Sequence, residues 1–272
     1  MLPVVLYWPV WLIDHQTFWT WVSARIDRSG PCAVKLAQWA ATRRDLFPDS
    51  VCLALGRMHE SVSAFWSMAI SPAQVYDTLQ DRGFDLESLD SRPHASGSMA
   101  EVYFGKLGDG TEVAVKCLRP GVKELLEADL SLLLRLGRWA DSQERLKLLG
   151  LGKATEEFCE HVQMQTDFRT EADHLRKFKE NFAELKSVRF PSPLFVMPHI
   201  LVLSKEPGQE LSKVFRTALG DAVDRPVDRD HFAAHSAAVA STLGVTQDVS
   251  NKVGSECLAA FMRMVFRDSF IH

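Results

Sequence analysis

The chain has 272 residues, 46% of them hydrophobic and 24% charged, a composition that excludes wholesale disorder. Its net charge of -4 leaves no basic footprint, so we expect no nucleic-acid partner. The five cysteines are widely spaced without a C-x-x-C pair, which argues against a disulfide framework or a zinc site and favours reduced thiols.

Residues 1–24 are apolar and rich in tryptophan. The opening apolar run of 13 residues ends at Asp14 and is shorter than the ~20 residues that cross a bilayer. It has neither the basic flank of a secretory signal nor the arginines of a mitochondrial transit peptide. Three interpretations stay open: a membrane-interface segment, a helix buried on the domain, or a spanning helix whose start is missing from this chain.

Residues 25–90 have the pattern of a helical extension. The run VKLAQWAATRRDLF carries apolar residues at helical spacing and ends before Pro48. A further helix is predicted from Ser71-Pro72 to about Arg82, because proline is favoured at the first helical position.

Residues 91–205 switch to strands and predict a compact α+β unit. The runs AEVYFGKL and EVAVKCL alternate in polarity, and Asp109-Gly110 between them predicts a β-hairpin. Lys116 lies within the second strand. It is either a charge that protects an edge strand from association or the lysine that pairs nucleotide phosphates in kinases.

A turn of small residues precedes this hairpin, in the stretch HASGSMAEVY. Small residues let backbone N–H groups approach a phosphate closely, although most such turns bind nothing. After the hairpin, helices are predicted over 121–149 and 153–183, and a strand over 200–204. Asp167 and Glu171 are four apart, so we expect them on one helical face. Glu171 is either the carboxylate partner of Lys116 or part of a solvated acidic face.

Together these motifs resemble the UbiB/aarF-domain family of atypical kinases, and most closely its aarF domain-containing kinase 2 subgroup. GPCAVKLAQWAATRRDLF resembles the family's K-x-G-Q helix, and SGSMAEVY its alanine-rich loop. VAVKCLRPGV resembles its V-A-V-K strand, and QTDFRTEADHLRKF its Q-x-D-x-R-x-E-A helix. The resemblance implies the small lobe of a protein kinase, an antiparallel sheet with a long helix, preceded by extra helices.

The resemblance also implies roles for individual residues. Lys116 would contact the nucleotide phosphates and pair with Glu171. Val102 and Ala114 would cover the adenine, with the backbone near Ser204–Glu206 as hinge. The phosphate loop would comprise Ser96, Gly97, Ser98, Met99 and Ala100. A group that occludes or regulates the pocket would comprise Lys35, Gln38, Gln165 and Asp167.

Three positions depart from the family pattern. Ala37 replaces the glycine of K-x-G-Q, and its methyl group is expected to crowd the contact between helix and pocket. Gln165 replaces one carboxylate of an E-x-D pair. Glu101 replaces a glutamine and is expected to bring an unfavourable negative charge beside the phosphate site.

The C-terminal VFRDSFIH resembles the approach to the family's catalytic loop. The catalytic aspartate and the metal-binding residues are therefore expected beyond His272, and residues 206–272 would be a linker and the first helices of a large lobe that is mostly missing. The resemblance implies an ATP- and Mg²⁺-dependent kinase or ATPase that supports coenzyme Q and mitochondrial lipid metabolism at a membrane. Its partners would be lipid- or quinone-type molecules and coenzyme Q biosynthesis proteins. For the 272 residues alone we expect a catalytically incomplete fragment, with a non-catalytic nucleotide-binding or scaffold protein as the alternative.

Overall fold

The computed structural model describes most of the chain. The described residues are 15–44, 47–56, 69–144, 147, 150–208, 241, 247–262 and 264. Within them the chain forms eight helices and one antiparallel six-stranded sheet, which is the predicted α+β class. The predictions for residues 1–14 and for VFRDSFIH from residue 265 onward fall outside the described residues.

The chain divides into two compact units. The first comprises Met1–Asp173 and Ser192–Lys205, and the second comprises His174–Pro191 and Glu206–His272. The four-part division of the sequence stays a prediction. Among the described residues, no helix combines the length and the apolarity needed to cross a membrane.

Four helices begin the first unit: α1 (His15–Asp27), α2 (Pro31–Thr42), α3 (Asp49–Gly56) and α4 (Pro72–Asp81). Gly30, with φ +112°, separates α1 from α2 in a conformation that favours glycine. The predicted start of α4 is confirmed, because the Ser71 side chain accepts a hydrogen bond from the amide of Gln74 at 3.4 Å.

The sheet is built around the predicted hairpin, which is confirmed. The strands are β1 (Leu86–Leu89), β2 (Ala95–Ser96), β3 (Ala100–Leu107), β4 (Glu112–Leu118), β5 (Pro193–Val196) and β6 (Ile200–Ser204). Their spatial order is β1-β3-β4-β6-β5, with β2 paired to the start of β3. The sequence predicted β3, β4 and β6 but not the short β1, β2 and β5.

Strand β4 alternates between the two faces of the sheet. Val113, Val115 and Cys117 are buried on one face, where they pack with α4 and the neighbouring strands in the main apolar core. The alternate residues Ala114 and Lys116 lie on the opposite face. Lys116 therefore does not interrupt the core.

Three helices follow the hairpin: α5 (Val122–Asp141), α6 (Leu151–Met164) and α7 (Phe168–Asn181). The single helix predicted over 153–183 is wrong, since the chain leaves the helix between α6 and α7. The Asp167 carboxylate accepts the amide N–H of Arg169 at 3.0 Å, and the amide of Phe168 donates to the carbonyl of Pro198 at 3.0 Å. Asp167 precedes α7 rather than lying within it. The prediction that Asp167 and Glu171 share one helical face is therefore wrong.

The second unit contains the later part of α7 and helix α8 (Gln247–Met262). Phe178 of α7 and Phe182, which directly follows α7, form an apolar cluster with Ala260 of α8. Phe190 stacks on Phe178 with ring centroids 5.1 Å apart and an angle of 10° between the planes.

Candidate functional site

An ion pair joins the sheet to helix α7. Lys116 Nζ donates to both carboxylate oxygens of Glu171, at 2.8 Å and 2.6 Å. The two side chains are 28% and 26% exposed, so the pair is accessible from solvent. Lys116 Nζ also lies 5.1 Å from the centroid of the Phe168 ring, within range of a cation–π contact.

The start of α7 is fixed against the sheet, and this positions Glu171. The hydrogen bond between Phe168 and Pro198 anchors the helix to the β5–β6 turn. Phe168 and Ala172 are buried against Leu201 of β6, which is the neighbour of Lys116 in the β4–β6 register. Because Ala172 has a small side chain, the helix can approach the sheet closely, and Glu171 comes within hydrogen-bond distance of Lys116.

A second lysine lies near this pair. The pKa of Lys35, on α2, is lowered from its ordinary value, first by burial and second by the positive charge of Lys116. Two ammonium groups therefore share one region of the first unit. Gln38 is half-buried one helical turn further along α2.

Ala37 has a different environment from the one expected. It is buried with Val34, Ala40 and Leu55 in the cluster between α2 and α3. Its methyl group is therefore part of helix packing, and the expectation that it crowds the pocket is wrong.

The predicted phosphate loop is the tight turn between β2 and β3. The amide of Gly97 donates to the carbonyl of Ala100 at 2.9 Å and closes the turn. Ser96 and Gly97 are exposed, whereas Ser98 and Met99 are buried. The Met99 side chain packs in a cluster with residues of α2, α5 and α6, including Cys32 and Leu126. Met99 can therefore offer a ligand its backbone but not its side chain.

The residues predicted to cover an adenine lie beside Lys116. Val102 is the neighbour of Lys116 in the β3–β4 register, and Ala114 precedes Lys116 by two positions on the same strand. Both residues are half-buried on the face that carries Lys116. Phe104, which the sequence did not single out, is the register neighbour of Ala114, and Lys205 Nζ lies 4.4 Å from its ring centroid.

Asp167 and Gln165 lie at the break between α6 and α7. Asp167 pairs with Arg169 through several hydrogen bonds, which lower the pKa of its carboxyl group below the ordinary value. Gln165 caps the C-terminus of α6, and its backbone N–H donates to the carbonyl of Val162 at 3.2 Å. The structure thus gives Asp167 a local partner, Arg169.

Sequence reasoning missed the importance of Arg119, which follows β4. Its buried guanidinium pairs with Glu101 at 3.0 Å and also donates to the turn between β2 and β3. Glu101 is the register neighbour of Cys117, so it lies on the core face and not on the face of Lys116. The expected unfavourable charge beside the phosphates is therefore wrong, because Arg119 neutralises Glu101 on the other side of the sheet. Arg119 stands out in the sequence as the first residue of the R-P-G turn that follows the V-A-V-K strand. The neighbouring residues in the sequence do not indicate its partners, which are Glu101 and the β2–β3 turn.

The described residues do not identify a metal site. In that part of the chain, no three or more His, Cys, Asp or Glu side chains are grouped so that they could hold a metal ion. No residue is therefore assigned to Mg²⁺. The described site offers two ammonium groups, one carboxylate and a small-residue turn, which together are suited to bind an anionic ligand.

The comparison with protein families identifies a domain over most of the chain. The ABC1 atypical kinase-like domain matches residues 58–272. That range includes β1–β6, the turn, Lys116 and Glu171, whereas Lys35 and Gln38 precede it.

Two curated relatives extend the similarity. A Dictyostelium discoideum protein named "Probable serine/threonine-protein kinase abkC" is 30% identical over 279 aligned positions, covering 100% of this chain and 36% of the relative. A mitochondrial ABC1 family protein of Saccharomyces cerevisiae is 28% identical, covering 91% of this chain and 37% of the relative. The chain thus spans little more than a third of the length of these relatives.

Among solved structures, the chain is similar to Rv3197 of Mycobacterium tuberculosis in its complex with erythromycin. The identity is 22% and the TM-score is 0.46, with 72% of this chain and 49% of the other covered. The family match over residues 58–272, together with the 30% identity to abkC along the whole chain, shows that the chain belongs to the ABC1 atypical kinase-like family.

Proposed function

We propose that the first unit binds ATP, with Lys116 contacting the phosphates and Glu171 holding Lys116 in place. The observation that carries the proposal is the partly exposed ion pair at 2.6 Å between a strand lysine and a carboxylate on the following helical region. Kinases use such a pair because a lysine on a flexible stem must be held at one position to meet the phosphates. Membership of a kinase-like family supports the same assignment.

The charges near Lys116 favour an anion. Glu171 neutralises the ammonium group of Lys116. Lys35, whose pKa is lowered first by burial and second by the charge of Lys116, contributes a second positive charge. A phosphate group in this region would relieve the repulsion between the two lysines. It would also compensate the partial burial of Lys35.

The other residues take roles according to their places in the fold. The exposed Ser96–Gly97 part of the turn, with the backbone of Ser98 to Ala100, would approach the phosphates. Val102 and Ala114 would contact the adenine, near a hinge at Ser204–Glu206. Lys35 and Gln38 would occupy or regulate the pocket from α2, with Gln165 and Asp167 at its border.

For the whole protein we propose an ATP-dependent atypical kinase or ATPase that supports coenzyme Q and mitochondrial lipid metabolism. The mitochondrial relative in yeast supports the compartment. Association with a membrane, lipid- or quinone-type ligands and coenzyme Q biosynthesis proteins as partners belong to the same proposal. Mg²⁺ would neutralise phosphate charge when bound. No step assigned to the described residues depends on it.

Calorimetric titration of the 272-residue chain with ATP tests the proposal. Replacing Lys116 by methionine removes the phosphate contact and is expected to raise the Kd at least about tenfold, since a hydrogen bond to a charged group contributes roughly 1.5–3 kcal/mol. Lys106→Met is the matched control, because Lys106 is an exposed strand lysine on β3. It is expected to leave the Kd unchanged.

The outcomes separate the possible functions. Equal loss of affinity in both variants would show that Lys116 acts only as a surface charge and would contradict the proposal. ATP binding that depends on Lys116, with no phosphate release or transfer, would support the non-catalytic nucleotide-binding alternative for this chain. Failure of the wild-type chain to bind ATP would reject the proposal for this chain.

A further inference from the structure

One buried arginine holds the turn between β2 and β3 from behind. The Arg119 side chain is only 6% exposed. Its Nε donates to the carbonyl of Gly97 at 3.1 Å, and its terminal nitrogen donates to Ser96 Oγ at 2.7 Å. The backbone amide of Arg119 also donates to the carbonyl of Met99 at 2.9 Å. Arg119 is therefore bonded to three of the four residues of Ser96–Met99.

Glu101 in turn holds Arg119. Its carboxylate lies 3.0 Å from the guanidinium, with the two side chains 12% and 6% exposed. The hydroxyl of the buried Tyr103 donates to the other carboxylate oxygen of Glu101. A buried guanidinium is stable only when it is paired, and its rigid, planar set of donors can satisfy several acceptors at fixed angles. Tyr103, Glu101 and Arg119 thus form one network that ends on the turn.

This network determines how the peptide groups of the turn are oriented. The peptide bonds of the described residues are trans, so the carbonyl and the N–H of one peptide group point in opposite directions. Because the Gly97 carbonyl is held by Arg119, the amide N–H of Ser98 is directed away from Arg119. Turns that bind phosphate do so through backbone N–H groups with preset directions. A loose turn would lose affinity, because ordering it on binding has an entropic cost.

The position of Arg119 also relates the turn to the lysine. Arg119 follows Lys116 by three residues, directly after β4. A rigid strand therefore connects the group that fixes the turn to the group assigned to the phosphates. Since Glu101 and Lys116 lie on opposite faces of the sheet, the network can fix the turn without consuming the charge of Lys116.

We propose that Arg119, held by Glu101, is a positioning residue that fixes Ser96–Met99 in the conformation that receives phosphate groups. The inference rests on the proposed function for its ligand, but the ordering of the turn is measurable without any ligand. Arg119 touches no nucleotide in this scheme. It acts through the backbone of the turn.

The test combines amide hydrogen exchange with ATP titration on the 272-residue chain. Arg119→Lys keeps the positive charge but loses the planar set of donors, so charge alone cannot rescue the turn. We expect exchange of the amides of residues 97–100 to accelerate at least about tenfold, and the Kd for ATP to rise about tenfold. Val75→Ala, a buried residue of α4 in the main apolar core, is the matched control for general destabilisation. It is expected to lower the melting temperature without accelerating exchange in the turn.

A second variant covers the case in which Arg119→Lys does not fold. The double variant Arg119→Gln with Glu101→Gln removes both charges, so that no buried charge is left without a partner. It is expected to fold and to show the same accelerated exchange in the turn.

The possible outcomes test the positioning role of Arg119 and the proposed binding of ATP separately. Wild-type exchange rates in the turn of either folded variant would overturn the positioning role, whether or not ATP binds. Accelerated exchange with an unchanged Kd for ATP would also overturn it, because the conformation of the turn would then be irrelevant to the phosphates. Accelerated exchange in a chain whose wild type binds no ATP would reject the proposed function while the ordering of the turn by Arg119 is upheld.

Discussion

Lys116 and Arg119 are three residues apart, but their ion pairs lie in different environments. Lys116–Glu171 is about a quarter exposed and joins strand β4 to helix α7. Arg119–Glu101 is almost fully buried and joins the end of β4 to β3 and the β2–β3 turn. An accessible pair can exchange partners with an arriving anion, whereas a buried pair has a large desolvation cost and must stay intact. This difference is consistent with the proposed ligand binding at the first pair and with a structural role for the second.

The two pairs also differ in their donors. Lysine presents a compact ammonium group on a flexible stem and can be redirected toward a ligand. Arginine presents a planar group whose donors satisfy Ser96, Gly97 and Glu101 together. Exchanging the two residue types would therefore be expected to damage both sites.

The largest expected effect comes from breaking the buried pair. Glu101→Ala leaves Arg119 buried without its carboxylate and is expected to lower the free energy of unfolding by about 3–5 kcal/mol. The matched Glu171→Ala removes the carboxylate of the accessible pair and is expected to lower it by no more than about 1 kcal/mol. Urea denaturation followed by circular dichroism measures both. Equal losses of unfolding free energy in the two variants would contradict the distinction between a buried and an accessible pair.

A smaller effect is expected at Cys117, the thiol that adjoins Lys116 in sequence but lies on the core face. Burial, with a contribution from the charge of Glu101, raises the pKa of Cys117 to about 12, so the native thiol should react slowly. Glu101→Ala is expected to accelerate its labelling by a disulfide reagent at least about tenfold through local opening, whereas Glu171→Ala leaves the rate unchanged. The exposed Cys257 is the internal standard. Equal acceleration in both variants would contradict the assignment.

The smallest expected effect concerns Lys35 and pH. Burial and the nearby Lys116 lower its pKa in the folded protein from the ordinary 10.5. The unfolded chain therefore binds more protons between the folded pKa and 10.5, so this contribution makes stability rise with pH across that window. The Lys35→Met variant should be more stable than wild type at neutral pH. The difference in unfolding free energy between the two should narrow as pH rises from the folded pKa of Lys35 toward 10.5.

The Lys116 contribution to this pH dependence can be measured separately. In a Lys116→Met background the charge of Lys116 is absent, so the difference made by Lys35→Met should depend less on pH. Denaturation at several pH values measures both differences. If the stability difference between Lys35→Met and wild type did not change with pH, the placement of Lys35 beside Lys116 would be contradicted.

The β3–β4 hairpin was predictable because its signal is local. Alternation of polarity and the Asp109-Gly110 turn lie within one short stretch, and the structure matches the predicted strands. The short strands β1, β2 and β5 contain two to four residues each. That length is too small for a periodic pattern to be recognised.

The site was less predictable because its contacts are distant in sequence. Lys116 and Glu171 are 55 residues apart, so the residues alone left Glu171 as either the partner of Lys116 or part of a solvated face, and the family resemblance favoured the pairing. Their role with a nucleotide stays a prediction. The break before α7 depends on the contact between Phe168 and Pro198, so helical periodicity alone missed it. The Arg119 network likewise depends on the register of β3 against β4.

The most direct measurement is a double-mutant cycle for ATP binding across Lys116 and Glu171. Calorimetry would give the Kd of the wild type, Lys116→Met, Glu171→Gln and the double variant. If Glu171 acts by holding Lys116, each single change raises the Kd and the double variant binds no more weakly than Lys116→Met alone. Additive losses in the double variant, or an unchanged Kd in Lys116→Met, would contradict the account.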